Sequence, residues 1–298
     1  MATISEPYKV YKRRWFMLLV ICILNVSNST LWISFAPIAN KAEEFYCVSK
    51  GCGAANILSL IYMICSIPVG FVAMWSVDKF GLRTGVLAGA WVNAIGSTLR
   101  IISSIGSLSS AARFPLAIVG QTVAACSQPF IMYLPTKLAA LWFPDNQRAL
   151  ANTLGSMSNP LGILVAMFVS PALVYSDTVD SIQTEILHLN VILTVPAVAV
   201  AVAASLGVCS SVPRTPPTHS AGEISMPFWQ GLRTISKEKS FIVLALFLGG
   251  GMGLFNSIYT LIQQILCTKG YSNVCSFLFT DEFSNYCHFR SQSLPDIL

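Results

Sequence analysis

Seven long apolar runs constrain this chain more than any other feature. They fall at roughly 15–37, 55–77, 82–104, 114–138, 149–174, 186–209 and 241–266. A helical span needs about 20 mainly apolar residues, whereas a membrane barrel strand needs about half that number. Backbone amides in lipid must be satisfied within their own element, so runs of this length read as helices. Composition agrees: 54% of the 298 residues are hydrophobic and 10% are charged, against about a quarter charged in a soluble domain. The fold class is all-α membrane, and the lipid bilayer is the first partner. The opening run follows "YKVYKRR" but is too long for a signal-peptide core and lacks a small-residue cleavage site, so it reads as a retained helix.

Charge orients the spans. With residues 1–14 on the cytoplasmic side, the inner segments carry twelve of the eighteen Lys and Arg residues. Loop 175–185, then outside, carries Asp177, Asp180 and Glu185 with no Lys or Arg. The positive-inside rule is thus met with a cytoplasmic N-terminus, and the basic excess reads as topology, with no nucleic-acid partner. Six spans occupy 15–209. A polar, Pro- and Ser-containing linker of the flexible cytoplasmic kind covers 210–240, a seventh span covers 241–266, and a divergent tail fills 267–298. That tail has no run long enough to span, so a truncated or alternatively spliced product is expected.

Nine cysteines show no Cys-x-x-Cys spacing and no histidine in ligand register, so neither a metal site nor a cofactor is expected. Cys47 and Cys52 share one short loop and can pair if that loop lies on an oxidising side. No nucleophile–base constellation is present, which argues against an enzyme. No Asp or Glu falls within the seven runs, and none of the three histidines, 188, 219 and 288, is at mid-span. Proton relays need such groups, so passive, facilitative movement is expected of these helices.

The first span interrupts its apolar run with "LNVSNSTLWISFAPIAN". On a helix, Asn25, Asn28, Ser29, Trp32 and Ala36 share one face. Polar groups at that depth face protein or a water-filled cavity, and an indole away from the interface belts suits a cavity wall. The alternative is that the amides and hydroxyls join helices to one another. The Asn-x-Ser/Thr matches at 25 and 28 lie inside the span, out of reach of glycosylation. Elsewhere, Asn159-Pro160 interrupts the fifth span, where a freed carbonyl or a packing kink is equally consistent. Gly85 and Gly89 in the third span, and Gly249, Gly250, Gly251 and Gly253 in the seventh, read as close-packing sites, with a hinge as the second reading for the seventh-span run.

Two junctions carry a family resemblance. After the second span, "MWSVDKFGLRTGVL" places Asp78, Lys79, Gly81 and Arg83 in a pattern that resembles the loop signature of the major facilitator superfamily, with Met74 at the position of its first glycine. Gly81 permits a tight turn, and Asp78 and Arg83 are placed to make charge contacts that hold one conformer. Between the fourth and fifth spans, "ALWFPDNQRALAN" resembles the recurring Trp-Phe-Pro junction, with Arg148 in its basic position. Together with "LWISFAPIA", "LSLIYM", "GQTVAACSQ" and "TLIQQIL", these segments resemble the feline leukaemia virus subgroup C receptor family, solute carrier family 49, over about residues 8–270.

That resemblance implies the N-terminal six-helix lobe of a major facilitator transporter plus a seventh helix. It implies movement of a small organic solute, a choline-like amine or related metabolite. Trp32 matches a tryptophan that faces the cationic headgroup in choline carriers, and Gln128 matches a glutamine that contacts the substrate hydroxyl. Asn256 stands where a tyrosine would complete the aromatic cage, with Tyr259 about one turn away. Asn28 and Asn159 complete the candidate substrate-binding residues, and Asp78, Lys79, Gly81, Arg83 and Arg148 form the candidate conformational loop. Solute sites of this kind form between two lobes, so the competing expectation is a non-transporting membrane component that associates with a full-length transporter. A plasma membrane or an organelle membrane fits equally.

Overall fold

A computed structural model describes residues 8–47, 52–176, 178–222 and 228–267. Among them, seven helices are long and apolar enough to cross a membrane. The first span is α1 (Arg13–Ile33), a 3-10 turn over Ala36–Ile38, and α2 (Ala39–Tyr46). Pro37 lies in that turn. Having no N–H, it cannot continue the α-helical ladder, and the span breaks there. Five further spans follow: α3 (Ala54–Phe80), α4 (Leu82–Ser103), α5 (Ser110–Trp142), α6 (Asp145–Leu173) and α7 (Val179–Gly207). Short helices α8 (His219–Gly222) and α9 (Phe228–Ile235) precede the seventh span, α10 (Lys239–Cys267). We call the bundle end carrying Arg13 proximal and the opposite end distal.

Three stacked apolar clusters hold the first six spans together. The proximal one joins Met17 and Leu24 of α1 to Val86 of α4, Leu138 of α5 and Ala204 of α7. The central one surrounds Trp32 and Tyr62, and the distal one surrounds Phe35, Tyr46 and Ile186. The broadest contacts are α4 on α5 and α1 on α6. At the α4–α5 crossing, a Cβ on Gly96 would lie 2.8 Å from the Cα of Ala124, so only a residue without a side chain lets the backbones approach this closely. Gly85 and Gly89 pack on α5 as expected, against Leu134 and Ile131. Among the described residues, nothing lies within 4 Å of where a Cβ would stand on Gly249, Gly250, Gly251 or Gly253 of α10.

Several boundaries differ from the hydropathy reading. Residues 179–185, expected as loop, form the first turns of α7, because a helix continues past the apolar core when its polar end is solvated. Asn159-Pro160 does not interrupt the fifth span; α6 runs through both from Asp145 to Leu173. Residues 210–222 do not hang free. They lie on the proximal face, with the indole of Trp142 donating to the Ser211 carbonyl at 3.1 Å and Tyr11 Oη donating to Thr215 at 3.4 Å. Cys47 and Cys52 form a disulfide, their Cα atoms 5.9 Å apart. The tail beyond Cys267 lies outside the described residues.

Candidate functional site

The polar residues of α1 divide into two groups by what surrounds them. Asn25 donates to the Ile21 carbonyl at 3.1 Å, and Ser29 to the Asn25 carbonyl at 2.8 Å. Both are satisfied by their own helix and buried. Asn28 Nδ2 lies 2.9 Å from both Asn93 Oδ1 of α4 and Ser127 Oγ of α5, and Asn93 Nδ2 donates to Ser27 Oγ at 3.2 Å. These four side chains are at most 1% exposed, so Asn28 sits in an amide–hydroxyl knot that ties three spans together. Periodicity located this face of α1 correctly, but at 25, 28 and 29 it meets neighbouring helices.

Trp32 occupies a different setting. Its indole N–H donates to the Ser59 carbonyl of α3 at 3.2 Å, and its ring tilts against Tyr62 with centroids 6.4 Å apart. Alanines 124, 125 and 166, with Ile163, pack around the pair; small residues here leave the width that two aromatic rings need. One turn on from Tyr62, Ser66 Oγ bridges the Tyr62 carbonyl at 2.6 Å and Gln128 Oε1 at 3.2 Å. Trp32, Tyr62, Ser66 and Gln128 thus form one continuous wall contributed by α1, α3 and α5. The Tyr62 hydroxyl is buried with no hydrogen-bond partner, which leaves a donor and acceptor available for a guest or a water. Tyr62 and Ser66 were missed by sequence reasoning, although Ser59, Tyr62 and Ser66 recur at i, i+3 and i+7 within an apolar run, a signal of a second polar face.

A 240 Å³ cavity between α3 and α10 is lined by Asn56, Ser59, Leu60, Met63, Ser257, Thr260 and Leu261, and none of the four wall residues lines it. Ser59 is shared: its carbonyl holds the indole of Trp32. Asn256 is half-buried on α10, its carbonyl accepting from Thr260 Oγ1 at 2.9 Å. Asn159 is half-buried on α6. Among the described residues, no hydrogen bond joins either asparagine to Trp32 or Gln128. The side chain of Tyr259 lies outside the described residues.

The proximal loop residues also gather, and Asp78 and Arg83 each make a contact of the kind expected. Asp78 pairs with Lys137 of α5 at 2.9 Å, not with Arg83. Arg83 instead reaches across to α7's end, its guanidinium donating to the Cys209 carbonyl at 3.2 Å and its backbone N–H to Ser211 Oγ at 3.0 Å. Gly81, at φ +85°, is the single residue between α3 and α4, a turn that a side chain would strain. The Lys79 ammonium lies 5.0 Å from the Trp75 ring. Arg148 binds Asp145 at 2.8 Å, the Phe143 carbonyl at 3.2 Å and Thr218 Oγ1 at 3.0 Å. Asp78 and Lys137 also line a 660 Å³ cavity covered by Phe228, Leu232 and Ile235 of α9.

Residues 17–279 match the family model described as Major Facilitator Superfamily. Solute carrier family 49 member A3 of Xenopus tropicalis is 41% identical over 280 residues, which cover 91% of this chain and 56% of that protein. The choline/ethanolamine transporter FLVCR2 of Homo sapiens is 30% identical over 265 residues, covering 87% of this chain and 49% of that protein. The chain therefore spans about half the length of these relatives. A D-xylose-proton symporter crystal structure superposes with a TM-score of 0.60 at 15% identity, covering 89% of this chain and 64% of that one. That likeness shows the fold. Seven candidate spans, the helical lobe described above and the match over most of its length establish that the chain belongs to the Major Facilitator Superfamily, within which it is related to solute carrier family 49.

Proposed function

We propose that this multi-pass membrane protein provides one wall of a route for a small organic solute, a choline- or ethanolamine-like amine. The carrying observation is the Trp32–Tyr62 ring pair set beside Gln128 through Ser66. An ammonium is drawn to the face of an aromatic ring, an attraction worth about 2 kcal/mol when desolvated. The amide of Gln128 both donates and accepts, and so suits a hydroxyl at the other end of such a solute. The names of the FLVCR2 relatives support this choice of solute class. Asn28 braces the wall from behind, while Asn159 and Asn256 belong to the surrounding helices and close on the solute from α6 and α10. The loop of Asp78, Lys79, Gly81 and Arg83, with Arg148, holds the proximal end in one conformer.

The N-terminus lies in the cytoplasm, in keeping with the basic proximal end. Transport is facilitative: among the described residues every carboxylate lies near the end of a span, so no acid in the interior offers a proton relay. Labelled choline or ethanolamine should enter proteoliposomes containing the chain at a rate set by the solute gradient, with and without an imposed pH gradient. Uptake that required an inward proton gradient would overturn the facilitative reading. No uptake and no binding of either amine would overturn the solute class.

A further inference from the structure

Arg100, in the last turn of α4, is fully buried within the bundle, and a buried cation is costly unless its donors are satisfied. It has no carboxylate partner among the described residues. Instead Nη1 donates to the Leu31 carbonyl at 2.7 Å, and Nη2 to Ser34 Oγ at 2.8 Å and Asn190 Oδ1 at 3.0 Å. The guanidinium also lies 4.4 Å from the centroid of the Phe35 ring. All but one of these partners lie in one stretch of the first span, residues 31–35, where α1 ends before Pro37. The last carbonyls of a helix have no intrahelical donor. In a membrane interior water is scarce, so another side chain must satisfy them. A cation at a helix C-terminus also complements the macrodipole. Arg100 therefore meets a need created by the break itself, together with Ser34 Oγ, which donates to the same carbonyl at 3.1 Å.

The fork of the guanidinium matters as much as its charge. Its two nitrogens hold residues 31 and 34, which bracket Trp32 in the chain. Gln121 Nε2 adds a third donor to the Leu31 carbonyl at 3.4 Å. Immediately beyond the clamp, Ala36–Ile38 forms the contact of the first span with α10. We propose that Arg100 is the positioning residue that fixes the break in the first span, and that it thereby aims the Trp32 indole. A lysine keeps the positive charge but is a point donor without the planar fork, so charge alone does not reproduce the clamp. The functional consequence, tighter solute binding, rests on the reading of Trp32 given above; the positioning itself does not.

The test uses the full chain labelled with 5-fluorotryptophan, in lipid nanodiscs. The six tryptophans give six fluorine resonances, and Trp32→Phe assigns the one that matters. Arg100→Lys and the milder Ser34→Ala, which removes one prong, should each move or broaden the Trp32 resonance and leave the other five in place. Choline or ethanolamine should then bind at least tenfold more weakly to Arg100→Lys. A moved Trp32 resonance with unchanged solute affinity would uphold the positioning role and overturn the solute reading of Trp32. An unmoved Trp32 resonance in both folded variants, or an equal shift of all six, would overturn the proposal. If Arg100→Lys does not fold, Ser34→Ala alone decides.

Discussion

Gly96→Val is expected to prevent stable assembly of the lobe. At this crossing even the first added carbon would lie 2.8 Å from both Cα and Cβ of Ala124 and still closer to its backbone nitrogen. The opposing atoms belong to a helix backbone, which cannot rotate aside as a flexible side chain can. Overpacking a core costs about 1–3 kcal/mol where neighbours can adjust, and here the adjustment must separate α4 from α5, the pair with the broadest contact. Loss of the monodisperse peak in detergent and a lowered midpoint of thermal aggregation would report it. Gly250→Ala on α10 is the matched control. Among the described residues nothing lies within 4 Å of where its Cβ would stand, and removing a helix-interior glycine contributes up to about 1 kcal/mol of helix propensity. That variant should be as stable as the parent or more so.

The second large effect concerns ligand binding. Trp32→Ala removes the ring that faces Tyr62 and empties the centre of its apolar cluster. The lost cation–π attraction of about 2 kcal/mol corresponds to about a 30-fold rise in Kd for choline or ethanolamine. Trp32→Phe keeps an aromatic face but loses the indole donor to Ser59, so it should fall between parent and alanine. Gln128→Ala should discriminate by solute: it weakens hydroxyl-bearing amines and leaves tetramethylammonium unaffected, because that ion offers no hydroxyl. Isothermal titration of the three variants against choline and tetramethylammonium reads the full pattern. Equal losses for both ligands in Gln128→Ala would remove that side chain from direct contact.

The spans were legible in the sequence because hydrocarbon thickness imposes a length, and a length can be counted. The close-packing role of Gly85 and Gly89 was legible for a similar reason, since small residues four apart mark one helix face. For Gly249, Gly250, Gly251 and Gly253, no close neighbour is present among the described residues, so their packing role stays an expectation. Periodicity gave α1 a polar face but could not say what that face meets. Trp32 meets an aromatic partner, whereas Asn28 meets Asn93 and Ser127, and the difference arises from three separate helices. Asp78 found Lys137, 59 residues away, not its near neighbour Arg83. Arg100 escaped notice because its partners are mostly carbonyls and amides, which leave no charge pattern to read.

Cys65 and Cys126 offer the most direct measurement. Both are free and half-buried, and each lies within two residues of the Ser66–Gln128 bridge. In a variant whose other free cysteines are serine, a water-soluble methanethiosulfonate reagent should label them in proteoliposomes, and saturating choline or ethanolamine should slow that labelling several-fold. If these thiols stay unlabelled while the protein remains folded, or label at one rate with and without either amine, the wall of Trp32, Tyr62, Ser66 and Gln128 does not face a solute.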